Sequence, residues 1–161
     1  WMDNTDEYER LDQVPYSLRL LYRASRDGNK ATKFHQKCDN KGATIVVAKI
    51  EGSETIVGGY NPLYWDSSNE YKNSSLSFIF LIQDRNNSDK GFTLGRIIHD
   101  NDSAIYNNSS YGPTFGGGYD LLCLFNKWSS NQNSYNSYGN IGLPSEFKVS
   151  DWEVFKVLKK S

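Results

Sequence analysis

The stretch Ala43-Thr44-Ile45-Val46-Val47-Ala48-Lys49-Ile50, followed by Glu51-Gly52-Ser53 and then Glu54-Thr55-Ile56-Val57-Gly58-Gly59-Tyr60, sets the fold class. Its first half is rich in β-branched residues, which suit a pleated, half-buried surface. Two such runs joined by a short turn with a glycine read as a β-hairpin. Beyond it, Ser75–Gln83 alternates through Leu76, Phe78, Phe80 and Ile82, with Ile79 and Leu81 apolar as well. A strand apolar on both faces is expected to lie centrally or under a helix. Asp84–Lys90 reads as a polar turn. Gly91–Ile98, Ala104–Tyr106, Asp120–Phe125 and Trp152–Leu158 read as further strands. The segment Asn126–Gly139 contains Asn131-Gln132-Asn133-Ser134 and has no apolar period. It reads as an exposed, mobile loop.

Toward the N-terminus the pattern changes to a helical one. Val14, Leu18, Leu21 and Tyr22 fall on one stripe of a 3.6-residue helix. Asp12 is placed to cap it, Pro15 suits its first turn, and Asp27-Gly28 ends it. A second helix over about Lys30–Cys38 would bury Phe34 and Cys38, leaving Arg23, Arg26 and Lys33 on the solvent side. Residues 1–13 are acidic and read as a lead-in or linker, 14–158 as the domain, and 159–161 as a basic tail. Helices first and strands after define an α+β class, with antiparallel pairing in one curved sheet or two packed sheets.

Composition narrows the function classes. The chain has 161 residues, one domain's worth by length. Asn and Ser make up 22% of it, against 23% for Leu, Ile, Val and Phe together. Lys and Arg number 18 against 19 Asp and Glu, and the sequence pI is about 6.1. A nucleic-acid domain normally carries a basic face and a pI above about 9, so that class is excluded. No apolar run approaches the roughly 18 residues that span a membrane. The opening Trp1-Met2 reads as an internal start, so the chain is taken as a piece of a longer protein.

Residues that could carry chemistry are few. Cys38 and Cys123 each sit in an apolar stretch and read as buried thiols, with a disulfide or an oxidisable thiol as the alternatives. His35 and His99 show no spacing that pairs with them for zinc. His99 reads as an exposed turn residue and His35 as partly buried. Asp120 and Glu153 are expected to open two strands. The glycines of Gly58-Gly59-Tyr60 and of Gly112-Pro113-Thr114-Phe115-Gly116-Gly117-Gly118 lack the helix and lysine of a phosphate loop. They read as bulges and tight corners. Trp65, Trp128 and Trp152 read mainly as core, because one large ring buries about 150–250 Å². No metal or cofactor is expected.

The ordered set of motifs then points to a family. It runs Leu20-Leu21-Tyr22-Arg23-Ala24-Ser25-Arg26-Asp27-Gly28, then Phe34-His35-Gln36-Lys37-Cys38-Asp39-Asn40-Lys41-Gly42, then Ile56-Val57-Gly58-Gly59-Tyr60 with Trp65, then Ser77-Phe78-Ile79-Phe80. It closes with Gly112-Pro113, Phe115-Gly116-Gly117-Gly118, Asp120-Leu121, Tyr138-Gly139-Asn140 and Glu153-Val154-Phe155. Together these resemble a TLDc domain, the module of oxidation-resistance proteins, and its subgroup found behind BTB domains. The resemblance implies a β-sandwich of two antiparallel sheets flanked by N-terminal helices. It implies a non-enzymatic, cytoplasmic protein-interaction module, monomeric in isolation, with the vacuolar-type proton pump as partner. Acids matching Asp120 and Glu153 recur in the family, and they are expected to be architectural, bonded to backbone N–H groups at the glycine turn. Two alternatives stand beside this reading. One is a redox or catalytic domain using Cys38, Cys123 or the two acids. The other is the adaptor of a BTB-containing ubiquitin-ligase receptor.

Overall fold

The chain enters the fold as a strand. β1 (Tyr16–Arg23) leads into a single-turn helix α1 (Ala24–Asp27) and then α2 (Ala31–Cys38). The hairpin follows as β2 (Thr44–Ile50) and β3 (Ile56–Asn61). Next come β4 (Glu70–Asn73), β5 (Phe78–Ile82), β6 (Phe92–Arg96), β7 (Ser103–Asn107), β8 (Thr114–Phe115) and β9 (Leu121–Cys123). The fold ends with β10 (Trp128–Ser129), β11 (Glu146–Phe147) and β12 (Val149–Lys159). This is a computed structural model, and it describes residues 14–83, 91–99 and 103–161. The acidic lead-in 1–13 with Asp12, and the polar turn 84–90, lie outside the described residues.

The strands form two antiparallel sheets. The first has the order β1-β12-β2-β3-β5-β6 and the second β11-β10-β9-β8-β7-β4. They face each other across one core. Val46, Ala48, Val57, Ile79, Trp152 and Val154 come from the first sheet. Ile105, Phe115, Leu121 and Trp128 come from the second. Rings bridge the layers: Trp128 meets Trp152 edge-on at 5.5 Å, and Trp65, from the loop after β3, meets Phe115 at 5.5 Å. Helix α2 closes one end by inserting Phe34 between Tyr22, Trp65 and Trp152, at ring separations of 6.1, 6.0 and 5.8 Å. Cys38 is buried one turn further along the same face. The two-sheet sandwich and the second helix agree with the sequence reading.

The first helix does not. Residues 16–23 pair with β12 from Tyr16 opposite Lys159 to Arg23 opposite Glu153. The apolar positions 18, 21 and 22 fit a helical stripe, but Tyr16, Leu18 and Leu20 also alternate. The long β12 offers a complete ladder, and tertiary pairing decides between two local options. A register shift between Leu20 and Tyr22 leaves Leu21 as the extra residue. Such a bulge lets Leu20 face outward and Tyr22 turn into the core. Only Ala24–Asp27 is helical here, held by the Asp27 carboxylate accepting the Arg23 N–H at 3.0 Å.

The segment Asn126–Gly139 is an exposed loop only in part. It contains β10, and Trp128, Gln132, Ser137 and Tyr138 are all buried. Gln132 and Ser137 bond inward while Asn131, Asn133 and Ser134 stay exposed, so a missing apolar period concealed a partly buried polar network.

Candidate functional site

The run Phe115-Gly116-Gly117-Gly118-Tyr119-Asp120 turns the chain between β8 and β9. Gly116 adopts φ +93°, and a Cβ there would stand 2.0 Å from Asp120 Oδ1. The turn therefore drives the Asp120 carboxylate inward, where it is wholly buried. Its Oδ1 accepts the Ser137 N–H at 3.0 Å, and its Oδ2 accepts the Tyr138 N–H at 3.1 Å and the Gln132 side-chain amide at 2.9 Å. Gln132 also donates to the Gly139 carbonyl at 3.1 Å and accepts the Ile141 N–H at 3.1 Å. Burial pushes the Asp120 carboxyl up from its usual value, and the three hydrogen bonds pull against that shift. The expected bonds to backbone N–H groups are present at Asp120. Their donors belong to residues 137 and 138, across from the glycine run rather than within it.

Glu153 behaves differently. It lies inside β12 rather than opening a strand. Its Oε2 accepts from Arg23 Nε at 3.1 Å and Nη2 at 2.9 Å, across the β1–β12 ladder on the outer face. Among the described residues it makes none of the backbone bonds expected of it, and it shares no hydrogen-bond partner with Asp120. Asp120 is thus buried at the turn between β8 and β9, whereas Glu153 lies on the outer face of the first sheet.

Both thiols are fully buried, and burial pushes each well above the usual cysteine value. A reactive thiolate needs an exposed, electropositive setting, which neither position offers. His35 is a buried residue of α2. Its Nδ1 lies 2.7 Å from Asp39 Oδ1, and its Nε2 lies 2.9 Å from the carbonyl oxygens of both Asn108 and Tyr111. These contacts tie α2 to the 108–111 turn. His99 is exposed. Among the described residues no group of His, Cys, Asp or Glu could hold a metal ion.

The remaining motif residues serve packing. Trp65 is core, with its indole N–H donating to Thr44 Oγ1 at 2.9 Å. Gly59 leaves room for Phe115 from the opposite sheet, since a Cβ there would sit 2.5 Å from the ring's Cζ. Gly58 lies under the Phe80 ring, and Gly112 lies against Cys123.

The surface that sequence reasoning missed is the outer face of the first sheet. Residues paired across a ladder share a face. One row runs Leu20, Phe155, Ile45, Tyr60 and Phe78 and ends at Arg96. Leu18 opposite Val157 continues it. A groove of about 350 Å³ lies here, lined by Tyr16, Leu18, Ile45, Tyr60, Phe78 and Val157. Leu18 is 56% exposed, and Phe92 on the same face is 50% exposed. The rim is basic: Arg96 stands opposite Phe78 and Lys159 opposite Tyr16. Neither forms an ion pair with another described residue. The signal was in the sequence, as strands apolar at both alternate positions, but it was read only in Ser75–Gln83 and only as centrality.

Comparison with known families gives one result. The family model described as the TLDc domain matches residues 8–158, nearly the whole chain. No curated relative matches it.

Proposed function

The chain belongs to the TLDc family of oxidation-resistance modules, and from that premise we propose that it is a non-enzymatic docking domain whose contact surface is the outer face of the first sheet. The observation that carries this reading is that apolar face. Sheet faces left to solvent normally alternate to polar side chains. This one keeps Leu18, Leu20, Ile45, Tyr60, Phe78 and Phe155 in register instead. Large exposed apolar patches with a polar rim mark interaction sites. The basic rim favours a partner with an apolar ridge and flanking carboxylates. The proposed partner, at the level of the family, is the cytosolic sector of the vacuolar-type proton pump, which places the domain on the cytoplasmic side.

The test is equilibrium binding of the whole chain to that purified sector. The wild type binds, and Leu18→Lys and Phe78→Lys lose binding while their melting temperatures stay near the wild type's. Absence of wild-type binding overturns the partner. Binding that both variants retain overturns the surface.

A further inference from the structure

The outer face of the second sheet carries four phenols in contact. Tyr71 on β4 and Tyr106 on β7 are directly opposite in the antiparallel ladder, and their rings stack with centroids 4.2 Å apart and planes 19° from parallel. Tyr119 also stacks on Tyr106, at 5.8 Å, and Tyr111 meets Tyr106 and Tyr119 edge-on at 6.1 and 6.2 Å. The hydroxyls of Tyr71 and Tyr119 are 3.4 Å apart. Tyr119 reaches this position in a left-handed backbone conformation, φ +65°. A bulky side chain rarely accepts that geometry. Its neighbour Asp120 is pinned inward by three hydrogen bonds, which leaves Tyr119 turned out onto the stack.

We propose that this stack is an oxidative modification site, at which a one-electron oxidant of the peroxyl-radical or metal-polypyridyl class joins Tyr71 to Tyr106 as a dityrosine. Each phenol gives one electron to an oxidant molecule and its hydroxyl proton to water. The two phenoxyl radicals combine, forming one carbon–carbon bond between ring positions ortho to the hydroxyls. Each ring then sheds the hydrogen on that carbon to its own oxygen and regains aromaticity. Two electrons and two protons leave in all, and both hydroxyls are restored.

Coupling needs two radicals held together, and a cross-strand pair already stacked supplies that proximity. Tyr71 is 45% exposed and open to a small oxidant. Among the described residues, all ring contacts between two tyrosines lie in this cluster. Tyr22 and Tyr138 are buried in the core. The bridge would fasten β4, the edge strand of its sheet among the described residues, to its neighbour β7.

The experiment exposes the whole chain, at low concentration, to photogenerated tris(bipyridyl)ruthenium(III) with persulfate. The expected product is monomeric, fluoresces as dityrosine, and yields on digestion a peptide pair linked through Tyr71 and Tyr106 with two hydrogens missing. Tyr71→Phe and Tyr106→Phe each lose that product, and Tyr64→Phe keeps it. A wild type that forms only links between chains, or a 71–106 link no more abundant than others, overturns the proposal. So does dityrosine fluorescence in Tyr71→Phe equal to the wild type's.

Discussion

Gln132 holds the buried carboxylate of Asp120 with its side-chain amide at 2.9 Å, twelve residues along the chain. The same side chain accepts the Ile141 N–H, so one glutamine ties the glycine turn to the segment before β11. Asp120 completes the arrangement with the Ser137 and Tyr138 N–H groups.

Asp120→Asn should therefore destabilise the fold. Asparagine offers one oxygen and one NH2 group, so in either orientation an N–H faces an N–H. A buried donor left unsatisfied costs about 1–3 kcal/mol. The pH dependence has a definite sign. The native carboxyl sits above its usual 3.8, so the native state holds the proton more tightly than the unfolded chain. Asp120 thus favours folding most below 3.8, and that advantage falls as pH rises through the native value. The deficit of Asp120→Asn should be larger in acid than at neutral pH. Urea titrations of both proteins across this range check it, and a deficit that grows with pH contradicts it.

Gly59 should tolerate no side chain. A Cβ would come 2.5 Å from the Phe115 ring, which is fully buried and packed on Trp65. The ring has nowhere to move, and overpacking a core costs typically about 1–3 kcal/mol, occasionally more. Gly59→Ala should lower the melting temperature clearly. Glu51→Ala, at an exposed turn position, should leave it nearly unchanged.

These residues show what was legible in advance. The hairpin, the two-sided strand at Phe78–Ile82 and the helix at Ala31–Cys38 were readable because local period and burial agree there. At Tyr16–Arg23 two periods fit equally, and only the presence of β12 decides. The short strands β4, β8, β10 and β11 have two to four residues each, too few to carry a period. Asp120 was singled out from its glycine neighbours, yet Gln132 was hidden in a polar run, since hydrogen-bond direction leaves no trace in composition. The apolar outer face was missed for a related reason. Inward and outward alternation look alike until the second sheet fixes which face is which.

Cys38 and Cys123 should resist thiol reagents in the folded protein. Both are fully buried, and burial holds both in the thiol form. Reagents attack the thiolate, so labelling must wait for opening of the fold. Alkylation followed by intact mass should stay near zero in buffer and reach both thiols in denaturant. Rapid labelling of either in buffer would restore a redox role for it.

Glu153→Gln should change stability far less than Asp120→Asn. The Arg23–Glu153 pair is partly exposed, at 43% and 30% of the side chains, so water screens it. Pairs of this kind contribute about 0.2–1 kcal/mol. The geometry is nonetheless specific, with two nitrogens of one guanidinium on a single oxygen. Glutamine keeps one acceptor oxygen in the same place and loses only the charge. A double-mutant cycle with Arg23→Ala and Glu153→Ala, read by urea unfolding, should give a coupling within that range and smaller at high salt. A loss of several kcal/mol in stability would instead make Glu153 as architectural as Asp120.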